Sequence, residues 1–191
     1  MNLDFEKLAV EIEAATRKFF QEIVANHAVE NIYAFALYSD EGAMTVCPAT
    51  NTMDFLATRP QNDLTYYTFE PAEWCYEGSR PGDGFSAISH QLYEAIEAIE
   101  EDQEEVDDDD NDEEFEEFQQ TMYQTCFDVL LKLKQENFFK NLVEKDIFLM
   151  FSVTEYEFDR NKLKEMIILL NDNPYQQEYL DWMKNMAQIE E

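Results

Sequence analysis

The sequence is short of the residues that build loops and repeats, with 4 Gly and 5 Pro in 191 positions. That scarcity excludes a collagen-like or Gly/Pro-rich low-complexity chain, and no period of self-similarity marks a repeat array. Long apolar stretches are missing too. Runs such as Ile147 to Phe151 fall far short of the roughly 20 residues of a membrane-spanning helix. Met1-Asn2-Leu3-Asp4-Phe5-Glu6 has neither a basic start nor an apolar run behind it, so no secretory signal is expected. Three widely spaced cysteines, Cys47, Cys75 and Cys126, imply reduced thiols and a cytoplasmic location.

Basic residues are the next shortage. Lys and Arg together number 13 against 43 Asp plus Glu, a formal net charge of −30. Nucleic-acid phosphates and anionic membranes need the opposite sign, so neither is an expected partner; a basic protein or a cation is. The chain is nevertheless 45% hydrophobic, with 15 Phe and 10 Tyr, which supplies a core and argues against general disorder. The imbalance is also local. No Lys or Arg lies between Arg80 and Lys132, and Glu94 to Glu117 holds 16 carboxylates in 24 residues. Glu100 to Glu114 contains one apolar residue, Val106, and reads as a solvated, mobile acidic insertion.

The flanking patterns predict one α+β domain over residues 1–191. Phe5, Leu8, Ile12, Ala15, Phe19 and Ile23 keep helical spacing, as do Phe85 to Ile99 and Phe115 to Leu133. Asp159 or Asn161 caps a further helix, and Asn173-Pro174 opens the last. Strands are expected at Ile32 to Tyr38, Ala43 to Cys47, Leu64 to Phe69 and Asp146 to Val153. Gly42 is the expected left-handed turn residue and Pro48 a strand stop. Together these give a mostly antiparallel sheet of about four strands covered by amphipathic helices.

No constellation of catalytic residues emerges. His27 and His90 lie on different elements, no thiol has a local activator, and no Gly-rich phosphate loop, nucleophile elbow or zinc spacing is present. No cofactor is therefore expected, and binding is expected rather than catalysis. Asp108, Asp110 and Asp112 match the start of a calcium loop, but Glu113 replaces its Gly and Gln119 its closing Glu. No metal site is assigned, although a calcium-binding or regulatory acidic protein remains the alternative. Phe69 to Tyr76, with Trp74, reads as a structural corner, or as an aromatic anchor in an interface.

The strand YAFALYSDEG, the segment EPAEWCYE, the strand DIFLMFSV and the closing LLNDNPYQQEYLDWM resemble, in that order, the bacterial DUF4303 family. The resemblance covers about Ile32 to Met183. Such proteins occur beside polymorphic toxins of bacterial competition systems and look like their immunity proteins. The resemblance implies a chain that neutralises a cognate basic toxin. The expected contact residues are Glu97, Glu101, Glu105, Asp108, Asp110 and Glu114, with Trp74 and Tyr76. Oligomeric state is left open.

Overall fold

Strand β1, Ile32–Asp40, is the element around which the others are arranged, because eight of its nine residues are buried. A strand apolar on both faces needs cover on both. The computed structural model describes residues 3–78, 84–103, 111–154 and 159–187. Helix α1 (Phe5–His27) leads into β1, followed by β2 (Cys47–Thr52), the short helices α2 (Met53–Leu56) and α3 (Leu64–Phe69), and β3 (Tyr76–Glu77). The long pair α4 (Phe85–Gln103) and α5 (Asn111–Gln135) comes next, then α6 (Phe138–Val143), β4 (Phe148–Thr154), α7 (Arg160–Leu170) and α8 (Pro174–Ala187).

The four strands form one sheet in the order β3-β2-β1-β4. The α+β class and the strand number agree with the sequence pattern. The sheet is mixed, however: β1 pairs antiparallel with β2 and parallel with β4. A bulge between Ile32 and Ala34 inserts Tyr33 into the β1–β2 ladder. Ile32, Phe35 and Leu37 consequently pack on one face, and Tyr33, Ala34, Ala36 and Tyr38 on the other. Leu8, Ile12 and Phe20 of α1, Phe85 and Leu92 of α4, and Met122 and Leu130 of α5 fill the first face. Phe69, Trp74, Ile167 and Tyr179 fill the second. Burying a Phe such as Phe20, packed edge-on against Phe35 at 5.5 Å, contributes about 1.5–3 kcal/mol, and this core offsets the charge.

Three sequence expectations change. Leu64–Phe69 is helix α3, not a strand. Its β-branched and aromatic composition is overridden by packing, which buries Thr68 and Phe69 while the Thr68 hydroxyl donates to Leu64 O at 2.8 Å. The return strand is Cys47–Thr52 rather than Ala43 to Cys47, and Pro48 lies inside it. Pro48 O accepts from Gly78 N at 3.0 Å, so its nitrogen points the same way, past the end of two-residue β3. The left-handed turn position belongs to Ala43 (φ 53°), not Gly42. There the methyl is fully buried in the first core, which offsets the strain.

The free edge of β4 is closed by side chains. Asn171, fully buried, accepts from Leu149 N at 2.8 Å and donates to Leu149 O at 2.8 Å. Asn173 donates to Ile147 O at 3.0 Å, and its own oxygen accepts from Tyr175 N at the start of α8. One amide thereby substitutes for a missing strand neighbour. Asn171→Ala leaves the Leu149 backbone pair unsatisfied, and urea unfolding is expected to show a loss of about 1–3 kcal/mol per orphaned group.

Candidate functional site

The acidic residues collect at one end of the molecule because of how three helices run. Phe5 meets Phe118 at 5.5 Å, and Arg17 pairs with Glu136, so α1 and α5 are parallel. Gln91 donates to Glu11 while Gly84 lies against Ala15, so α4 runs antiparallel to α1. The carboxy-terminal part of α4 and the amino-terminal part of α5 therefore share the pole that holds the start of α1. The β1–β2 turn lies there as well: Tyr123 and Gln119 of α5 donate to Asp40 O at 2.9 Å and Glu41 O at 2.7 Å.

Of the residues singled out in the sequence, Glu97 is exposed on α4 and Glu114 is exposed on the first turns of α5. Glu94, Glu113, Glu116 and Glu117 are exposed beside them. Glu101 is in the last turn of α4. Glu105, Asp108 and Asp110, and with them most of the calcium-like sequence, lie outside the described residues. Among the described residues no three His, Cys, Asp or Glu side chains gather as metal ligands, and no helix is long and apolar enough to cross a membrane.

Helix stability does not account for this charge. Glu113 and Glu114 are favourable near the amino terminus of α5, at about 0.3–1 kcal/mol each. Acidic residues toward the carboxy terminus of α4 are unfavourable by the same amount, and its last turn carries no base. The two effects cancel.

Trp74 and Tyr76 lie elsewhere. Trp74 is 4% exposed in the second core, so its ring is a packed corner and not an exposed anchor. Its indole nitrogen has no hydrogen-bond partner among the described residues. Tyr76 stacks on His27, the last residue of α1, with ring centroids 4.2 Å apart. Its hydroxyl donates to Glu30, while His27 Nδ1 lies 2.8 Å from both the phenol oxygen and Glu30 Oε1. A carboxylate only accepts, so Nδ1 carries the proton. With α1 about 33 Å long between its end residues, Tyr76 and the acidic pole are on opposite ends. No local pattern marks the His27–Glu30–Tyr76 cluster, since Tyr76 is 49 positions from His27 and 46 from Glu30.

Two of the thiols, Cys75 and Cys126, are shifted up. Burial pushes Cys75 up despite hydrogen bonds from Thr52, with Glu30 adding to the rise, and burial alone pushes Cys126 up. A cavity of about 260 Å³ opens by Lys134 and Lys140, but both cations are already paired, with Asp172 at 2.6 Å and Asp146 at 2.8 Å.

A family model described as "Domain of unknown function (DUF4303)" matches residues 12–172, most of the chain. The chain belongs to the DUF4303 family. No characterised protein and no solved structure matches it. Membership spans the sheet, both faces of the core and the edge-closing Asn171.

Glu70 gives a pH test of local burial. Burial first, then the charge of Glu73, raises its carboxyl above the ordinary value of 4.5, against a hydrogen bond from the Ala72 backbone. A raised acid stabilises the fold below its unfolded value and loses that contribution as pH rises through the folded one. Glu70→Gln is therefore expected to raise the thermal midpoint at pH 7, and the gain to vanish below about pH 4.

Proposed function

We propose that this chain is a binding protein for a basic partner, and in particular an immunity protein that neutralises a cognate toxin. The observation that carries the reading is the acidic pole, where His90 lies 3.3 Å from Glu94 and Lys7 3.4 Å from Glu11. Six exposed carboxylates, Glu94, Glu97, Glu113, Glu114, Glu116 and Glu117, flank the densest acidic stretch of the sequence. No lysine or arginine occurs from residue 81 to 131. Elsewhere several cations are placed among acids: Glu13 is held below the usual carboxylate range by the Lys132 hydrogen bond, with Arg17 assisting, against desolvation. The core does not need the acidic pole, and helix dipoles do not reward it. A basic surface would.

Charge of this kind acts first on encounter. Complementary fields raise association rates by roughly 10 to 10³-fold, within a screening length of about 8–10 Å at physiological salt. The ordered carboxylates of α4 and α5 are suited to the bound contact, and Asp107 to Asp110 to steering, where rim charges mainly alter the on-rate. The resemblance to immunity proteins fits a role in occlusion.

The test is protection. Any toxin domain found encoded beside this gene is expressed in a sensitive cell with and without this chain. Growth is expected to resume with the wild-type chain, and to resume less well when Glu94, Glu97, Glu113 and Glu114 are changed together to Gln. Growth arrest that persists despite abundant folded wild-type chain contradicts the reading.

A further inference from the structure

A concave surface lies at the other end of α5, where α6, the start of β4 and the end of α7 meet around the cavity of about 260 Å³. Its floor is apolar and deep. Phe139, Ile147, Leu149 and Leu170 line it, and each is at most 4% exposed. The floor is also fixed, since Asn171 and Asn173 hold the backbone of Leu149 and Ile147. The rim is charged: Lys134 meets Asp172 at 2.6 Å, Lys140 meets Asp146 at 2.8 Å, and all four line the cavity. The aspartates are 82% and 58% exposed, so both pairs form in water and add little to stability. Neither ammonium is saturated. Each has three N–H donors; among the described residues Lys134 uses two, on Asp172 and Leu169 O, and Lys140 uses one. Asn137 lies on the same rim, and its side chain does not cap the helix that follows it.

We propose that this cavity binds a small zwitterion with an apolar body, of the class of free hydrophobic amino acids. The proposal is independent of the acidic pole and of the basic partner. Size sets the first limit, because the volume falls just below the roughly 300–1,000 Å³ of small-molecule pockets and leaves room for one small metabolite. Charge sets the second. Each lysine stands beside a carboxylate, so a simple anion meets an aspartate and a simple cation meets a lysine. A zwitterion answers both. Its carboxylate takes the two remaining N–H donors of Lys140, and its ammonium takes the lone pairs that the aspartates still offer. Binding then leaves the net charge of the site unchanged, in a chain already at −30. The apolar side chain covers the floor, and that burial is the main favourable contribution.

The experiment titrates the full chain with L-leucine, followed by amide shifts in NMR. Leucine is expected to give saturable shifts at residues 134–140, 146–149 and 170–173. Three relatives separate the parts of the argument: glycine keeps the charges without the side chain, isocaproate lacks the ammonium, and isopentylamine lacks the carboxylate. Each is expected to bind about tenfold more weakly than leucine. Lys140→Met, which keeps the apolar stem, should weaken leucine by a similar factor with an unchanged thermal midpoint showing that the fold is intact. Shifts that do not saturate, or that saturate elsewhere, overturn the site, as does a leucine affinity unchanged in Lys140→Met. Isocaproate, isopentylamine or glycine binding as tightly as leucine overturns the assignment to an apolar zwitterion.

Discussion

Burial of β1 on both faces is the constraint from which the rest follows. A nine-residue strand with one partly exposed position must have layers above and below, and neighbours at both edges. The antiparallel neighbour β2 is reached by a short turn, and the parallel neighbour β4 only after the long excursion through α4, α5 and α6. That excursion forms the first face of the core. The bulge at Tyr33 ties the second face in. Its hydroxyl donates to Thr68 O at 3.1 Å and accepts from Asn51 at 2.9 Å, fastening α3 to the sheet. Burial pushes the Tyr33 phenol up, which keeps it a hydrogen-bond donor.

With both faces of the sheet committed to packing, the charge has to lie outside. Part of it is balanced: Glu13, Arg17, Lys132 and Glu136 link α1 to α5 as a surface network, with Lys132 2.7 Å from Glu13 and Arg17 also 4.9 Å from the Phe138 ring. Such exposed pairs contribute about 0–1 kcal/mol each, so they orient the helices more than they stabilise them. The unbalanced part lies on the carboxy-terminal part of α4 and the amino-terminal part of α5. A fold whose stability comes from aromatic packing tolerates this repulsion, and is left with a strong field at one end.

Much of the fold was legible because hydrophobic period and capping chemistry agree locally. The helix around Phe5 to Ile23, the Asp159 cap of α7 and the strand at Phe148 to Val153 are all written in short windows of sequence. Leu64 to Phe69 misled because the segment is short and its strand-like residues are placed by contacts with β1 and α8, not by propensity. The parallel pairing of β4 is a property of two segments more than 100 positions apart, and no local pattern encodes it. The candidate site divides the same way. The acidic stretch is obvious in composition, but its placement at one pole depends on the parallel run of α1 and α5. Tyr76 read as a companion of those acids and lies at the far end of α1.

The central claim is that an ordinary core carries a one-sided acidic field whose use is to meet a basic protein. It is tested most directly by the association rate constant between this chain and the basic toxin domain proposed as its partner, measured by stopped flow as NaCl rises from about 20 mM to about 0.5 M. The account predicts a fall of roughly tenfold or more in association, with a much smaller change in dissociation. An association rate that stays flat across that range would contradict it.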